Sequence, residues 1–218
     1  MRQPTAPAYY DRRAAEYDDW YLDRGGFHQR DRPGFAEELE SIVATPAALS
    51  PAPTLDVACG TGFLARHLRG TITALDRSPR MLALARKRLP AATLVEGDGL
   101  ALPFEADAFE RIATGHFYGH LDAGQRVTFL REARRVATEL VIVDASRRHS
   151  EVDEEWSTRS LRDGSAWEVY KRYFTPEALL DEVGGGKVLF DGTWFVVVRS
   201  ARCGRRLRHE LARVPQPT

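Results

Sequence analysis

The stretch Asp56-Val-Ala-Cys-Gly-Thr-Gly62 decides the fold of this 218-residue chain. It continues a short apolar run, 55–58, which we interpret as a buried strand because prolines precede it and a glycine-rich turn ends it. Gly60 and Gly62 allow the backbone to turn sharply and to approach a ligand without a Cβ atom in the way. A Gly-x-Gly pair alone is common in tight turns, so its meaning depends on the residues that follow.

Acidic residues follow the next two predicted strands. Residues 71–75 predict a second strand that ends at Asp76, and 92–95 predict a third that is followed by Asp98. An acid about twenty residues beyond a glycine-rich turn is placed to bind ribose hydroxyls, whereas Asp98 is placed to accept a hydrogen bond from an adenine amino group. Taken singly, Asp76 could equally be a helix cap, and Asp98 part of an Asp-Gly turn. Their succession after three strands favours a slot for a nucleoside.

Strand and helix patterns alternate along most of the chain. The predicted helices cover 63–68, 78–90, 125–136 and 175–183, and the further predicted strands cover 109–114, 140–143, 187–190 and 194–198. Residues 151–172 show no clear period. The alternation predicts an α/β fold with a parallel sheet covered by helices on both faces, and the last two strands form a hairpin that adds an antiparallel strand.

The composition limits the partners of the chain. Its 31 Lys and Arg residues balance its 31 Asp and Glu residues, and no nucleic-acid partner is expected because such binders are usually basic. The two cysteines, Cys59 and Cys203, are far apart and are expected to be reduced. No apolar run approaches the roughly 20 residues that span a bilayer, and we see no secretory signal. We therefore expect a cytoplasmic protein without a membrane span.

Three segments together resemble the class I S-adenosylmethionine-dependent methyltransferases, most closely the ubiquinone/menaquinone methyltransferase-like branch that acts on small molecules. They are residues 56–62, Thr73-Ala-Leu-Asp-Arg-Ser-Pro-Arg-Met81 and Glu96-Gly-Asp-Gly-Leu-Ala-Leu-Pro-Phe104. The resemblance covers most of the chain, from about Tyr9 to Arg199. Ala58 replaces the family's first glycine, a change that we expect to be tolerated. The resemblance implies a Rossmann-like, mostly parallel, seven-stranded sheet with an antiparallel last strand.

The resemblance also implies that the cofactor is S-adenosyl-L-methionine. Asp56 and Gly60 would face its amino acid part, Asp76 would bind the ribose, and Asp98 would meet the adenine amino group. Residues 114–116 would contact the methionine end and face the acceptor. The complete set of residues predicted to bind the cofactor is Tyr17, Asp56, Ala58, Gly60, Gly62, Asp76, Arg77, Met81, Asp98, Gly99, Leu100 and His116.

The chain is divided on the same basis into an arm, a domain and a tail. Residues 1–34 are predicted to form an N-terminal arm of helices that covers the cofactor, although an amphipathic helix docked on the domain is an equally good interpretation. Residues 35–200 are predicted to form the methyltransferase domain, in which 145–175 is an insertion that helps to form the acceptor pocket. The Arg-rich segment 201–218 is predicted to be a basic, flexible tail.

Candidate catalytic and acceptor-binding residues follow the fourth and fifth strands. His116 and His120 could remove a proton from the acceptor, but either could instead border the cofactor or pack in the fold. A metal is disfavoured because Gly119 weakens the helix that would pair them, and none is predicted. Any one of the aromatic candidates could equally belong to a small core, and the arginine to the solvated surface. The residues predicted to bind the acceptor are Tyr10, Tyr118, Arg148, Trp167, Tyr170 and Tyr173.

These observations predict a methyltransferase that moves a methyl group to an O, N or C atom of a small-molecule acceptor. The alternatives are an NAD(P)-dependent Rossmann oxidoreductase and a non-catalytic module that binds S-adenosylmethionine. The charge of Asp56 separates the methyltransferase from the oxidoreductase, because a carboxylate is unfavourable beside a pyrophosphate and favourable beside a cationic sulfonium and ammonium. The sequence leaves the acceptor open and is compatible with a monomer or a homodimer.

Overall fold

The computed structural model describes residues 7–25 and 31–201, and in them the chain forms nine strands and five α-helices. The strands are β1 (Thr54–Val57), β2 (Ile72–Asp76), β3 (Thr93–Glu96), β4 (Phe109–Gly115), β5 (Ala137–Ala145), β6 (Glu154–Ser160), β7 (Ala166–Arg172), β8 (Lys187–Asp191) and β9 (Phe195–Ala201). The α-helices are α1 (Pro7–Arg13), α2 (Phe35–Ala48), α3 (Pro79–Arg88), α4 (Ala123–Val136) and α5 (Pro176–Glu182). A 3-10 helix, Ala14–Trp20, continues α1.

Seven of the strands form one sheet with the order β3-β2-β1-β4-β5-β9-β8. β1 to β5 run parallel, and β9 pairs antiparallel with both β5 and β8. The prediction of a Rossmann-like, mostly parallel seven-stranded sheet with an antiparallel last strand is therefore confirmed. The order of the strands reverses between β1 and β4, and this switch point leaves a crevice beyond their carboxyl ends.

Helices cover both faces of this sheet, as predicted. In β5, Leu140 and Ile142 pack in a cluster with α4 and α5, whereas Val141 and Val143 pack with α2 on the opposite face. Ala74 of β2 packs with α3. This part of β5 is apolar on both sides because neither side meets water.

Side-chain caps define where the helices start. The Ser78 hydroxyl accepts from the Met81 N–H at 3.1 Å, and Pro79 occupies the first turn of α3, as the sequence predicted. Asp122 and Gln125 form a capping box at α4, so this helix begins two residues before its predicted start. Each cap is worth about 1 kcal/mol of helix stability. The Ser78 cap also sets the position of Asp76, which lies two residues before it.

Two elements differ from the predictions. The helix predicted over 63–68 is only a 3-10 turn, Ala65–His67, because the chain must leave it to make a close turn at Gly70. There φ is +104° and a Cβ atom would lie 2.5 Å from the Ala52 carbonyl oxygen. Residues 151–172, which show no period, contain the antiparallel hairpin β6–β7. This hairpin escaped prediction because the inner face of β6 is polar and lines a cavity.

Several predictions concern residues or properties that the structure does not reach. Residues 1–6 and 26–30 of the predicted arm and 202–218 of the predicted tail, with Cys203, lie outside the described residues. Across 7–25 and 31–201, no helix has the length and apolar character needed to cross a membrane. The cytoplasmic location stays a prediction.

The glycine-rich turn after β1 carries a strained residue. Ala58 has a φ of +57°, in the left-handed region, as do Gly60 at +55° and Gly62 at +76°. A Cβ atom in that region crowds the following carbonyl oxygen, which costs roughly 1–2 kcal/mol. The chain therefore tolerates alanine at the position where the resembling family has glycine, but at a cost in stability.

We expect Ala58→Gly to raise the free energy of unfolding by about 1 kcal/mol, because relief of the left-handed strain outweighs the extra freedom of glycine in the unfolded chain. Chemical denaturation measures the change. The control is Ala74→Gly in β2, a buried strand position, which should lose stability. An equal loss for both variants would contradict the strain at Ala58.

Candidate active site

A cleft lies beyond the carboxyl ends of β1 to β4 and has a volume of about 910 Å³ with its open mouth included. It occupies the crevice at the switch point of the sheet. Most of the residues predicted to bind the cofactor line this cleft, and Asp56 and Gly62 lie outside its wall. The predicted residues that line it are Tyr17, Ala58, Gly60, Asp76, Arg77, Met81, Asp98, Gly99, Leu100 and His116.

Asp76 ties the glycine-rich turn to the start of α3. One of its carboxylate oxygens accepts from the Gly60 N–H at 2.8 Å, and the other accepts from the Ser78 N–H at 2.8 Å. Burial raises the pKa of Asp76 above its ordinary value, although these two N–H groups act in the opposite direction. Each carboxylate oxygen has two lone pairs, so Asp76 can also accept from hydroxyl groups in the cleft.

Asp56 is a second buried carboxylate beneath the same turn. Asp56 as a whole is 5% exposed, and its carboxylate forms no hydrogen bond or ion pair within residues 7–25 and 31–201. Burial first, and then the negative charge of Asp76, raise the pKa of Asp56 to about 8. Two like charges in a poorly solvated place repel each other. A positively charged ligand would relieve this repulsion, so the pair fits a cationic cofactor.

The far end of the cleft suits a flat, apolar ring with a polar edge. Asp98 accepts from the Leu100 N–H at 2.9 Å and lies 3.8 Å from the Arg77 guanidinium, which leaves lone pairs toward the cleft. Gly99 is required here, because a Cβ atom would lie 2.9 Å from the Val57 side chain and 3.0 Å from Phe117. An adenine ring fits this combination of apolar wall and acidic edge.

The arm is held over the cleft by hydrogen bonds. The Tyr17 ring lies 3.5 Å from the position of a Cβ atom on Gly60. The Asp18 carboxylate accepts from the Thr61 hydroxyl at 2.6 Å and pairs with Arg88 of α3 at 2.7 Å. The sequence predicted that an arm would cover the cofactor, but it did not identify Asp18 and Arg88 as the groups that dock it.

A second cavity adjoins the cleft beneath the hairpin β6–β7. Four residues line both spaces, namely Tyr10, Tyr17, His116 and His120. Two of these come from the arm and two from the segment after β4. A molecule in the second cavity would therefore meet a molecule in the cleft at these four side chains.

His116 is buried at this boundary with an unsatisfied nitrogen. Its Nε2 atom has no hydrogen-bond partner, and its backbone has a φ of +55°. The rings of Trp20 and Phe195 lie 4.9 and 5.6 Å from the imidazole. Burial, followed by the charge of Lys171, lowers the pKa of His116 to about 3. The ring is therefore neutral at physiological pH.

His120 is oriented by the backbone. Its Nδ1 atom lies 2.6 Å from the Tyr170 carbonyl oxygen. Because a carbonyl oxygen only accepts, Nδ1 must carry the proton, and Nε2 has a free lone pair. Burial, followed by the charges of Lys171 and Arg159, lowers the pKa of His120 well below its ordinary value. His120 is thus a neutral hydrogen-bond acceptor where the two spaces meet.

Only two of the residues predicted to bind the acceptor line the second cavity. They are Tyr10 and Tyr173, and the Tyr173 hydroxyl donates to Glu155 at 2.6 Å. The other four lie outside both spaces, namely Tyr118, Arg148, Trp167 and Tyr170. The sequence places these residues near one another along the chain but does not determine which way their side chains point.

Each of these four has a different partner. Tyr118 is in the core and donates to Glu182 at 2.7 Å, while Arg148 forms an ion pair with Asp191 on the surface. Trp167 packs against Tyr9, and the Tyr170 hydroxyl donates to Glu154 at 2.7 Å. Tyr170 points away from the cavity because neighbouring residues of β7 alternate between its two faces.

The structure also brings charged residues to the second cavity that the sequence did not single out. Lys171 lines it and forms a buried ion pair with Asp144. Burial alone would raise the pKa of Asp144, but Lys171 and the Gly119 N–H hold it below its ordinary value. Arg13 and Arg159 line the cavity as well. Among the described residues, no cluster of three or more His, Cys, Asp and Glu is arranged to hold a metal ion.

Known proteins resemble the chain in the same region. Residues 54–139 match the family model described as a methyltransferase domain. A demethylmenaquinone methyltransferase of Thermotoga maritima is 39% identical over 100 residues, or 44% of this chain and 43% of that protein. Over these residues the chain is similar to known methyltransferase domains. The resemblance found in the sequence is thereby confirmed.

Other relatives of the methyltransferase domain differ in their acceptors and share its fold. A dTDP-3-amino-3,4,6-trideoxy-alpha-D-glucopyranose N,N-dimethyltransferase of Streptomyces venezuelae is 44% identical over 85 residues, or 38% of this chain and 34% of that protein. The solved DhpI-SAM-HEP complex has a TM-score of 0.71 at 23% identity and covers 88% of this chain and 94% of that chain. At that identity the likeness concerns the fold alone. The chain spans less than half of the length of the curated relatives named here.

We expect Asp56→Asn to stabilise the protein without cofactor, and more so at about pH 8 than at about pH 5. A carboxyl whose pKa is raised to about 8 by folding binds its proton more tightly when folded, so its ionisation opposes folding as the pH rises. Asparagine does not ionise. Denaturation at both pH values measures the difference between the variant and the original protein.

The matched control is Glu96→Gln, which removes an exposed negative charge from the neighbouring part of the sheet. We expect the stability of this variant to follow that of the original protein at both pH values. A pH-independent effect of Asp56→Asn would show that the carboxylate is not strained by burial.

Proposed function

We propose that the chain is an S-adenosylmethionine-dependent methyltransferase that acts on a small-molecule acceptor. The observation that carries this proposal is the pair of buried carboxylates, Asp56 and Asp76, at the carboxyl ends of β1 and β2. Asp56 has no cationic partner among residues 7–25 and 31–201. A cofactor with a sulfonium and an ammonium group supplies the missing positive charge.

Different residues of the cleft would bind different parts of the cofactor. Asp76 would bind the ribose, Asp98 the adenine amino group, and Gly60 the amino acid part, with the charge of Asp56 beneath it. Tyr17 would cover the cofactor from the arm. When bound, S-adenosylmethionine supplies a methyl group on a positively charged sulfur. The task of the chain is then to hold an acceptor in line with that group and to exclude water.

The two histidines have different roles in this proposal. His120 Nε2, whose lone pair is free because Nδ1 donates to Tyr170, would take the proton that the acceptor releases. His116, whose Nε2 atom is buried without a hydrogen-bond partner, would orient the acceptor by a hydrogen bond. Both stand at the boundary of the two spaces, where the acceptor and the cofactor would meet.

Two alternatives remain distinct from this proposal. An NAD(P)-dependent oxidoreductase would have to place a pyrophosphate beside Asp56 and Asp76, where the electrostatic energy is unfavourable. A non-catalytic module would bind S-adenosylmethionine without turnover, and release of a methylated product separates it from an enzyme. The acceptor atom, the monomer or homodimer, and the absence of a nucleic-acid partner stay predictions.

We expect Asp76→Ala to weaken the binding of S-adenosylmethionine by more than tenfold, or roughly 1.4 kcal/mol, because a charge-assisted hydrogen-bond pair to the ribose is lost. Calorimetric titration measures the affinity, and circular dichroism checks that the variant is folded. Glu96→Ala, an exposed acid outside the cleft, is the control. An unchanged affinity in Asp76→Ala would refute the ribose role, and tight binding of NAD instead would refute the proposed function.

We expect His120→Ala to lower kcat by roughly 10² or more, the usual contribution of a general base, and to leave the affinity for S-adenosylhomocysteine within about twofold. The assay follows methyl-labelled S-adenosylmethionine with an acceptor found by screening a small-molecule extract. His67→Ala is the control, because His67 lies outside both spaces. Equal turnover in the three proteins would make His120 a structural residue.

A further inference from the structure

The inner face of the hairpin β6–β7 is the polar wall of the second cavity. Glu155, Ser157 and Arg159 of β6 alternate along this face and line the cavity. In β7 they pair with Lys171, Val169 and Trp167, respectively. Lys171 lines the cavity too. Val169 and Trp167 pack in an apolar cluster outside the cavity, so the part of this face that lines the cavity is polar and suits a polar or charged molecule.

Two of the four lysine and arginine side chains that line this cavity have a carboxylate partner. Lys171 pairs with Asp144, and Arg32 pairs with Asp23. Arg159 differs, because its side chain makes no hydrogen bond or ion pair with any residue in 7–25 or 31–201. It is half-buried in the wall of the cavity. Its five N–H donors are therefore available to a ligand.

Arg13 adds a second positive charge without a carboxylate partner among the described residues. It is 8% exposed, lines the same cavity and donates to the neutral hydroxyl of Tyr9 at 3.0 Å. Its guanidinium lies 4.9 Å from the centre of the Tyr17 ring. Arg13 thus places positive charge beside the boundary with the cofactor cleft.

The acidic residues that line the cavity form no ion pair with Arg159 or Arg13. Glu155 accepts from the Tyr173 hydroxyl, and Glu16 is engaged by Arg162. Asp31 is exposed. The positive charge of Arg159 also acts on His120. Burial, Lys171 and Arg159 together lower the pKa of His120. Arg159 and His120 line the same cavity.

We propose that the second cavity binds a compact oxyanion of the acceptor, a carboxylate or a phosphoryl group, through the Arg159 guanidinium, with Arg13 as a second positive charge. The planar guanidinium matches either group with two parallel hydrogen bonds. This anchor leaves the other end of the acceptor at His116 and His120. Naming the anion as part of the methyl acceptor rests on the proposed function, whereas the anion site itself does not.

The anion would also change the chemistry of the base. Lys171 and Arg159 disfavour a proton on His120, and a bound negative charge opposes their effect. An acidic acceptor would thereby make His120 a stronger base than it is in the empty cavity. A neutral acceptor would lack this effect.

The test titrates acetate, inorganic phosphate and methylphosphonate, each separately, into the full chain saturated with S-adenosylhomocysteine. The ring resonances of His120 in the NMR spectrum report binding. We expect at least one of these anions to bind, and Arg159→Gln to weaken its binding by at least about tenfold. The relative affinities of acetate and the two phosphorus compounds distinguish a carboxylate from a phosphoryl group. Arg159→Lys, which keeps the charge but loses the planar fork, should be intermediate.

The control is Arg131→Gln, which removes an exposed positive charge of α4 outside both spaces and so matches the change in net charge. We expect it to bind the anions as the original protein does. If the original protein binds none of the three, or if Arg159→Gln binds them equally well, the anion site does not exist.

The affinity for S-adenosylhomocysteine is measured in the same proteins. Arg159 lies outside the cofactor cleft, so Arg159→Gln should change this affinity by less than about twofold. If the original protein does not bind S-adenosylhomocysteine, the proposed function fails, and the anion titration of the protein alone still decides the anion site. The two failures are thus distinguishable.

Discussion

The negative charge concentrated beneath the glycine-rich turn is the constraint on which the rest of the site depends. Asp76 holds Gly60 and Ser78 by their N–H groups and so joins the turn to α3. Asp56 has no such partners among the described residues, and burial beside Asp76 raises its pKa to about 8. Ionisation of this carboxylate therefore destabilises the protein without a ligand and favours the binding of a cation. The same negative charge that would bind a cationic ligand thus lowers the stability of the protein without it.

The boundary between the cleft and the second cavity is formed partly by the arm and partly by the two histidines. The arm contributes Tyr10 and Tyr17 to the shared boundary, and the chain after β4 contributes His116 and His120. Because Asp18 of the arm is tied to the glycine-rich turn and to α3, the same contacts hold the arm over the cleft and over the second cavity. In the proposed reaction, both molecules are enclosed before a methyl group moves.

Much of the parallel sheet could be read from short apolar runs, since a strand covered on both faces needs apolar residues throughout. The start of α3 could also be predicted, from Ser78 and Pro79, because a helix cap is a local interaction. The segment 63–68 was not, because the close approach of Gly70 to Ala52 shortens it to one turn. The hairpin β6–β7 was missed since the inner face of β6 is polar and borders a cavity, so β6 lacks the apolar alternation of a strand on a core.

The sequence by itself determined the fold class and predicted ten of the residues that line the cleft. Those residues follow successive parallel strands, and the carboxyl ends of such strands meet at one edge whatever the rest of the chain does. Only the tertiary structure decided which charged and aromatic side chains face the second cavity. Tyr170 and Lys171 are neighbours in the chain, yet they point to opposite faces of β7. That choice depends on how the hairpin packs against the arm and the sheet, which are contacts between distant parts of the chain.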